Sequence, residues 1–413
     1  MNVVGVIMGG GAGTRLQPLT RDRAKPAVPI AGKYRLVDIP ISNCINSHIR
    51  RMYLLTQFNS VSLHQHVAHS FQFDQFHRGY VRLLAAQQTP NSVGWFEGTA
   101  DAVRKSFRYF LDEQPDLIVI LSGDQLYRLN FEDVIAQHIE TQADVTIATK
   151  PVPRNEAGAL GIMQVDKQKR IARFVEKPGT GPELDELRYP GPREERYLAS
   201  MGIYVFNCKV LQNLLESLPH SDFGRDIIPE AIQRHQVFSY IFDGYWRDIG
   251  TVGSFWQANL ELTDVNPPFT FYDAKAPIYT HMRYLPPSKI NCCDLNRTLL
   301  CEGCIITGHR ILHSIIGIRA VVGDGSVIEH SVVMGADYYE GERPPPPGNV
   351  PPMGIGRDCF IRNAIIDKNA RIGDGCYITP DGIPDGTVTP NYTVRDGVIV
   401  IPKKAVIPSG TRI

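Results

Sequence analysis

The stretch MGGGAGTRLQPLTRDRAKP, residues 8–26, directly follows the apolar run NVVGVI near the start of the chain. A short strand that leads into a glycine-rich turn is typical of α/β proteins whose turn binds phosphate. Glycine has no Cβ atom, so backbone N–H groups can approach a polyphosphate, and Arg15 and Lys25 add positive charge. A simple glycine turn with surface cations is the alternative interpretation.

Two common phosphate-binding motifs do not fit this stretch. A P-loop requires lysine after its second glycine, and none stands there. The dinucleotide fingerprint lacks its third glycine after Gly9 and Gly11, and Pro18, Pro26 and Pro29 interrupt the long helix that should follow. The stretch therefore indicates another class of phosphate site.

Up to residue 262, apolar strands alternate with helical segments. The predicted strands are NVVGVIM at the start and residues 51–57, 117–124, 144–150, 171–178 and 200–207, and the clearest helices are residues 99–113 and 131–142. This alternation predicts an α/β, Rossmann-like domain with a mostly parallel sheet that is covered on both faces. Ligands then bind at the carboxyl ends of the strands.

Residues 263–289 contain five prolines, follow neither period and predict a linker. In residues 290–413 the apolar period becomes six, which predicts a left-handed parallel β-helix, interrupted by an exposed PPPP loop at 344–347. Such domains commonly assemble into oligomers. The repeated positions are Leu299, Ile305 and Ile311; Ile316, Val322, Ile328 and Met334; Phe360, Ile366, Ile372 and Ile378; and Ile401, Ile407 and Ile413.

Composition argues against several functional classes. Lys plus Arg and Asp plus Glu both number 43, so no net charge favours nucleic acid or a membrane surface. No apolar run reaches transmembrane length and the start lacks the features of a signal peptide, so we expect a cytoplasmic protein. Cys301 and Cys304 form a C-x-x-C, but Cys292 and Cys293 are adjacent, which favours core or turn cysteines over a zinc site.

Two aspartates are candidates for a magnesium site. Asp124 ends the apolar strand LIVILSGD, and Asp248 lies in GYWRDIGT, another junction between a strand and a loop. Mg²⁺ typically takes one or two carboxylates together with phosphate oxygens and water. Alternatively, Asp124 is a helix cap or turn residue and Asp248 a turn residue.

The segment FVEKP, residues 174–178, ends a strand with a carboxylate and a cation. Lys177 can bind a sugar phosphate and Glu176 can accept hydrogen bonds from sugar hydroxyls. A surface ion pair is the alternative. The segments ASMGIYVF (199–206) and SDFGRDIIP (221–229) favour the sugar site, because they place further polar groups at predicted strand ends.

Ordered motifs along essentially the whole chain resemble the glucose-1-phosphate adenylyltransferase (ADP-glucose pyrophosphorylase) family, and most closely its phosphoglycerate-activated branch. The motifs are GGGAGTRL, RAKPAVP, DIPISNCINS, TQFNS, AAQQ, WFEGTADAVR, SGDQLYR, FVEKP, ASMGIYVF, YWRDIGT, APIYT, RYLPPSK and AIIDKNARIG. The resemblance implies a nucleotidyltransferase domain followed by a left-handed β-helix. It also implies transfer of the adenylyl group of ATP to glucose 1-phosphate, which gives ADP-glucose and pyrophosphate for glycogen or starch synthesis.

The same resemblance implies roles for individual residues, with Mg²⁺ as cofactor and a homotetramer as the assembly. Asp124 and Asp248 would hold Mg²⁺ and, with Arg15 and Lys25, form the catalytic set. The nucleotide would be bound by Gly9, Gly10, Gly11, Gln87 and Gly98. Glucose 1-phosphate would be bound by Phe96, Gly161, Glu176, Lys177, Ser200, Tyr204 and Asp222. Arg35, Lys368 and Lys403 would bind small anionic effectors, 3-phosphoglycerate as activator and inorganic phosphate as inhibitor.

The sequence departs from the family pattern at two informative positions. Gln125 replaces the usual histidine after the metal-site strand but keeps a hydrogen-bonding side chain. Asp22 stands where fructose-bisphosphate-activated members carry lysine, which disfavours that effector. Two other readings stay open: a regulatory subunit with weak catalysis, and a related enzyme that uses UTP or dTTP.

Overall fold

The computed structural model describes residues 1–74, 76, 79–87, 94–189, 196–217, 221–344 and 346–413. Within them, the helices are α1 Asp38–Asn46, α2 Val61–Ser70, α3 Thr99–Leu111, α4 Phe131–Glu140, α5 Arg154–Ala157, α6 Pro182–Glu186, α7 Cys208–Ser217, α8 Ile228–Arg234 and α9 Val252–Glu261. The predicted helices at 99–113 and 131–142 are confirmed as α3 and α4. No helix in this part of the chain combines the length and the apolar character needed to span a bilayer.

The N-terminal half is built on one large mixed sheet. Its strands and their short partners are β1 Val3–Gly9, β2 Pro29–Ile30, β3 Tyr34–Arg35, β4 Arg51–Thr56, β5 Tyr80–Ala85, β6 Leu117–Ser122, β7 Gln125–Tyr127, β8 Val145–Pro153, β9 Gly161–Val165, β10 Ile171–Glu176, β11 Arg188–Tyr189, β12 Arg196–Asn207, β13 Val237–Ile241 and β14 Trp246–Asp248. The sheet order is β10-β9-β12-β6-β1-β4-β5, and β1, β4, β5 and β6 run parallel. Their carboxyl ends therefore meet at one edge.

Strand β12 differs from the expected pattern. It runs antiparallel to β6, β8 and β9, and its pairing with β8 shifts between Ser200 and Tyr204 around Gly202, whose φ is 65°. Ser200 and Tyr204 were expected at a strand end, but they flank a β-bulge inside a strand. A bulge redirects side chains locally, so it aims these two polar groups without ending the strand.

The small antiparallel pair β7–β14 carries the residues around the two candidate metal ligands. Asp248 lies directly opposite Gln125, and the backbone N–H of Ile249 donates to the carbonyl oxygen of Asp124 at 3.2 Å. Immediately after β14, Thr251 caps helix α9 through a capping box with Ser254. Pairing of distant segments thus brings Asp124 and Asp248 to one place.

The C-terminal half forms parallel coils. Its strands are β15 Lys289–Ile290, β16 Asp294–Leu300, β17 Ile305–Ile306, β18 Arg310–Ile316, β19 Val321–Val322, β20 Val327–Glu329, β21 Val332–Val333, β22 Gly354–Ile355, β23 Phe360–Arg362, β24 Ala364–Ile366, β25 Arg371–Ile372, β26 Tyr377–Ile378, β27 Thr393–Arg395, β28 Val398–Ile401 and β29 Val406–Ile407. Apart from the antiparallel pair β27–β28, the pairing between coils is parallel.

The six-residue period is displaced by one residue at four predicted core positions. The inward columns of the coils are Ile306, Val322, Ile355, Ile372 and Ile407; Leu295, Ile311, Ile328, Ile361 and Ile378; and Leu300, Ile316, Val333, Ile366 and Ile401. Leu299, Ile305, Met334 and Phe360 therefore do not belong to these columns, and Ile305 is 42% exposed. Successive coils without an inserted loop are 16 or 17 residues apart, for example Ile306 to Val322 and Ile311 to Ile328, so a strict period of six loses phase.

A second apolar column of the β-helix faces the N-terminal half. Ile315, Val332, Ile365 and Val400 share one buried cluster with Phe255 of α9. Polar contacts also join the two halves. Trp256 Nε1 donates to the carbonyl oxygen of His330 at 2.8 Å, and Gly253 N donates to Asp396 Oδ2 at 2.8 Å. Arg23 forms an ion pair with Asp367 at 2.9 Å. The two halves share one apolar core at this face.

The proline-rich segment 263–289 is packed rather than free. Phe271 stacks on Tyr34 with ring centroids 4.1 Å apart, Ile278 is buried, and Tyr279 N donates to Ser42 Oγ at 2.8 Å. The segment follows the surface of the N-terminal half until β15 begins.

Candidate active site

The glycine-rich loop begins at the carboxyl end of β1. A Cβ atom on Gly9 would lie 3.0 Å from the carbonyl oxygen of Leu55, whereas one on Gly11 would meet no described heavy atom within 4 Å. Gly13 holds a left-handed φ of 64°, and Arg15 follows in the short 3-10 turn Thr14–Leu16. The loop is therefore packed on its sheet side and open on its outer side, as a phosphate-binding backbone requires.

Phe96 lies beside this loop. Gln57 holds the main chain of Phe96 from both sides, by accepting from its N–H and by donating to its carbonyl oxygen at 3.3 Å. A Cβ on Gly10 would lie 3.8 Å from Phe96 Cδ2. The aromatic ring, which was predicted to contact glucose 1-phosphate, is thus placed against the predicted nucleotide loop.

The two residues predicted to contact adenine lie on either side of α3. Gln87 follows β5 and accepts a hydrogen bond from the hydroxyl of Tyr109 at 3.2 Å. Gly98 precedes α3, and a Cβ there would lie only 2.3 Å from the carbonyl oxygen of Ser221. Any side chain at this position would push α3 away from the segment that carries Asp222.

Asp124 forms an ion pair with the loop that follows β1. Lys25 Nζ lies 2.6 Å from Asp124 Oδ2, and the Ser122 hydroxyl donates to the other carboxylate oxygen. Burial alone would raise the pKa of Asp124, but Lys25, Ser122 and Arg15 outweigh it and hold the pKa below its ordinary value. Asp124 is therefore held as an anion.

Asp248 has the opposite electrostatic environment. Burial, followed by repulsion from Asp124, raises the pKa of Asp248 to about 6. A Cβ on Gly250 would lie 2.6 Å from Asp248 Oδ2 and 3.7 Å from Arg15 Nη2, so the guanidinium group is close to this carboxylate. Two adjacent carboxylates beside the predicted phosphate-binding loop fit Mg²⁺, which can take its remaining ligands from phosphate and water.

A cavity of about 430 Å³ opens beside Asp248. Its lining includes Arg15, Gly161, Glu176, Lys177, Ser200, Tyr204 and Asp248. These residues come from five separate segments of the chain, and the fold brings them to one concave surface. Its polar lining is suited to a sugar phosphate.

Glu176 is positioned by two glycines. A Cβ on Gly161 would lie 2.7 Å from Glu176 Oε2, and one on Gly224 would lie 2.9 Å from the same atom. Lys177 Nζ lies 3.2 Å from Glu176 Oε1, and the lysine side chain is 50% exposed. The carboxylate is fixed, while the ammonium group can reach a ligand.

Tyr204 lines the cavity, whereas Asp222, which was also predicted to bind glucose 1-phosphate, is not among its lining residues. Burial raises the pKa of Tyr204 to about 12; a hydrogen bond with Ser200 opposes this shift, and the charges of Glu176 and Asp222 add to it. Asp222 accepts from Arg225 N at 3.0 Å and from the Thr99 hydroxyl at 3.4 Å. The tyrosine hydroxyl is therefore neutral at physiological pH and close to both carboxylates.

Several lining residues were not identified from the sequence as site residues. Gln125, Asn155, Glu156, Gly202 and Trp246 all line the cavity. Gln125 follows Asp124 in the chain, and Trp246 precedes Asp248 by two residues. Their closeness to the two predicted metal ligands was therefore a signal that could have identified both. No sequence pattern distinguishes Asn155 and Glu156, which reach the cavity from the short helix α5 and the residues around it.

The three predicted effector residues lie near the contact between the two halves. Lys368 Nζ lies 2.9 Å from Asp337 Oδ1, and Lys403 Nζ lies 3.1 Å from Asp337 Oδ2. Lys368 is buried, so it is not a solubilising charge on an exposed loop of the β-helix. Asp337, the anion that both lysines share, was not among the predicted site residues.

Arginines surround this lysine pair. Burial lowers the pKa of Lys368 to about 8; Asp337 opposes this shift, and Arg283 and Arg35 add to it. Burial also lowers the pKa of Arg35 to about 10, and its Nε atom is buried with no hydrogen-bond partner among the described residues. Arg35, Lys368 and Lys403 do converge, and Arg283 joins them.

Two family models match the chain. Residues 4–265 match the family described as Nucleotidyl transferase, and residues 283–412 match the GLGC left-handed parallel β-helix domain. These two domains in this order are the architecture of glucose-1-phosphate adenylyltransferase. The matches confirm the resemblance and the predicted fold, including the left hand of the β-helix, whereas the phosphoglycerate-activated branch stays a prediction.

Proposed function

This chain belongs to the nucleotidyl transferase family, and we propose that it transfers the adenylyl group of ATP to glucose 1-phosphate, which gives ADP-glucose and pyrophosphate for glycogen or starch synthesis. The observation that carries the proposal is the position of Asp124 and Asp248. Asp124 pairs with Lys25 of the glycine-rich stretch, and Asp248 lines the cavity of Glu176 together with Arg15.

The proposed reaction is a direct displacement at phosphorus. A phosphate oxygen of glucose 1-phosphate attacks the α-phosphorus of ATP, a new P–O bond forms, and the bond to the pyrophosphate oxygen breaks on the opposite side. Two anions must be held in line, so positioning and charge neutralisation supply most of the catalysis. No protein nucleophile is needed.

Each cation has a defined task in this proposal. Arg15 and Lys25 neutralise the triphosphate and the departing pyrophosphate, and Lys177 holds the sugar phosphate. Glu176 accepts hydrogen bonds from sugar hydroxyls. Asp124 and Asp248 would hold Mg²⁺, which would neutralise charge that develops on the phosphates.

Two competing functions make different predictions. A regulatory subunit with little activity would tolerate loss of the catalytic set, yet Arg15, Lys25, Asp124, Lys177 and Asp248 are all present. A preference for UTP or dTTP would change the groups that contact the base, and Gln87 and Gly98 are the candidates for that contact.

Regulation belongs to the same proposal. Lys368 and Lys403 both pair with Asp337, and Arg35 and Arg283 lie within electrostatic range of the same carboxylate, so this group of cations can bind a small anion. We propose 3-phosphoglycerate as the activator and inorganic phosphate as the competing inhibitor. A homotetramer is the proposed assembly.

The deciding experiment measures pyrophosphate release by the purified protein with each of four nucleoside triphosphates and glucose 1-phosphate. We expect the highest kcat/KM with ATP and a further increase with 3-phosphoglycerate. Asp248→Asn is the matched inactive control. Equal activity with UTP or dTTP would contradict the adenylyl assignment, and a folded but inactive parent protein would favour the regulatory subunit.

A further inference from the structure

Helix α9 begins four residues after the candidate metal ligand Asp248 and is fixed to the β-helix along one face. Gly253 in its first turn contacts Asp396, and Trp256, three residues later, contacts His330. Both partners belong to the β-helix half. Residues three apart lie on one face of a helix, so a single face of α9 makes both contacts.

The first turn of α9 is capped by both halves of the chain. Thr251 Oγ1 accepts from Ser254 N at 3.1 Å within the capping box. Gly253 N donates to Asp396 Oδ2 at 2.8 Å, so a carboxylate from the other half accepts a second N–H group of this turn. An anion at this end of a helix also interacts favourably with the helix dipole.

The approach of Asp396 leaves no room for a side chain at position 253. A Cβ atom on Gly253 would lie 2.8 Å from Asp396 Cβ and 3.1 Å from Asp396 Oδ2. Glycine is less favourable than alanine in a helix. The sequence therefore accepts a weaker start of α9 in exchange for a close contact with the β-helix.

The turn between β27 and β28 offers a simpler explanation for Asp396. Both turn residues have a positive φ, 55° at Asp396 and 71° at Gly397, and Asp-Gly is a common pair in such two-residue turns. Glycine would adopt the same backbone conformation at position 396. The turn thus explains the backbone, whereas the hydrogen bond from Gly253 depends on the side chain.

The start of α9 is also part of the candidate active site. Gly250, Thr251 and Ser254 line the cavity together with Asp248. A Cβ atom on Gly250 would lie 2.6 Å from Asp248 Oδ2, so the residues before the helix pack closely on this carboxylate. A displacement of the first turn of α9 would therefore move both Asp248 and the cavity wall.

Strand β28 leads from Asp396 to the predicted effector residues. It begins two residues after Asp396 and ends two residues before Lys403. It pairs in parallel with β24, and beyond the two strands Lys404 N donates to the carbonyl oxygen of Lys368 at 3.0 Å. One strand pair thus joins the contact with α9 to the cations proposed to bind the effector.

We propose that Asp396 is a positioning residue for the candidate active site. It fixes the first turn of α9, and with it Asp248, and it transmits to them the binding of an anionic effector at Lys368 and Lys403. It acts through Gly253 rather than by touching the substrates. The effector part of this inference rests on the proposed function.

Two substitutions separate the side chain of Asp396 from the turn. Asp396→Gly keeps the positive φ and removes the acceptor, whereas Asp396→Asn keeps the turn and an oxygen that can accept from Gly253 N. Hydrogen–deuterium exchange of the full-length protein reports the contact directly. Exchange in the peptide at the start of α9 should be about three- to thirty-fold faster in Asp396→Gly and near the parent rate in Asp396→Asn. Equal rates in all three proteins would overturn the proposal.

Activity and effector binding test the transmission, using whichever nucleotide and sugar 1-phosphate the parent accepts. Asp396→Gly should lower kcat about three- to ten-fold and weaken activation by 3-phosphoglycerate, and Asp396→Asn should recover both. Calorimetric binding of 3-phosphoglycerate should stay near the parent value, because Lys368 and Lys403 are intact. Loss of binding together with activation would indicate a damaged β-helix and contradict the proposal. A parent that is inactive or not activated would contradict the proposed function, while the exchange measurement still tests the contact.

Gly253→Ala tests the contact from the other side. Alanine favours a helix, but its Cβ would collide with Asp396, so we expect a loss of kcat similar to that of Asp396→Gly. Combining the two substitutions should cause no further loss, because removal of the Asp396 Cβ leaves room for the new methyl group. Additive losses would contradict the proposal. Asp385→Ala is the control, since Asp385 accepts from Gly397 N at 3.3 Å in the same turn without touching α9, and its kcat should stay near the parent value.

Discussion

At the residue scale, Asp124 and Asp248 show how one residue type is held in two electrostatic states. Asp124 is paired with Lys25, whereas Asp248 is buried beside Asp124 and has a raised pKa. We expect Asp124→Asn or Asp248→Asn to lower kcat by orders of magnitude, because each substitution removes a charge from the proposed Mg²⁺ site. Exposed Asp112→Asn is the control. Near-normal turnover in either folded variant would contradict the metal assignment.

Lys177 tests the sugar-phosphate side of the cavity. Its ammonium group touches Glu176 but is half exposed, so the side chain can turn to an incoming phosphate. Lys177→Ala should raise the KM for glucose 1-phosphate about ten- to a hundred-fold, as loss of one charge-assisted contact of roughly 1.5–3 kcal/mol predicts. Lys167→Ala removes an exposed charge from the turn at the other end of the β9–β10 hairpin and should have little effect. An effect confined to the KM for ATP would place Lys177 in the other subsite.

Single residues could be predicted where a motif fixes both their type and their place. Asp124, Glu176 and Lys177 each lie at the end of a strand or within two residues after it, so a linear pattern indicates where they lie. The contact between Trp246 and Gln125 depends on the pairing of β7 with β14, which are separated by more than a hundred residues. Linear spacing contains no information on that pairing.

At the scale of elements, the coils of the β-helix are shorter than the pattern implied. The period of six identifies the fold, but coils of 16 or 17 residues place Ile306 inside and Ile305 outside. Which of two adjacent isoleucines faces the interior depends on the corner of the coil at which a residue is missing. Hydrophobicity alone cannot distinguish them.

This one-residue shift is testable by a matched pair of substitutions. Ile306→Ala should lower the free energy of unfolding by about 2–5 kcal/mol, because it leaves a cavity in the stacked core. Ile305→Ala should change it by less than about 0.5 kcal/mol, as for most exposed positions. Denaturant unfolding of both variants measures the difference. Equal losses would mean that the inward column is misassigned.

At the scale of the whole molecule, the group of cations proposed to bind the effector draws on both halves of the chain. Arg35 comes from the N-terminal half, Arg283 from the proline-rich segment, and Lys368 and Lys403 from the β-helix. Lys403→Ala should weaken activation by 3-phosphoglycerate and leave Lys368 to balance Asp337. Lys404→Ala, at the exposed neighbouring position, is the control. Full activation of Lys403→Ala would exclude this residue from the effector site.

The response to the effector should also depend on pH. Burial lowers the pKa of Lys368 to about 8, so the folded protein carries this charge below that pH and loses it above. Asp337 stays ionised, since Lys368 and Lys403 hold its pKa far below its ordinary value despite burial. The concentration of 3-phosphoglycerate for half-maximal activation should therefore rise between pH 7 and pH 9. A constant value would show that Lys368 does not bind the effector.

The contact between α9 and the β-helix has a consequence for how the sequence of each half can evolve. Phe255 of α9 packs in one core with Ile315 and Val400 of the β-helix. Gly253, which follows Asp248 by five residues, donates its backbone N–H to Asp396. An altered side chain on one half changes the fit of the other, so the two halves are expected to evolve by paired substitution. A chimera joined within residues 263–289 takes the two faces of this contact from different parents, so it should fold poorly when those parents are distant relatives, and replacing α9 with that of the parent of the β-helix should recover folding.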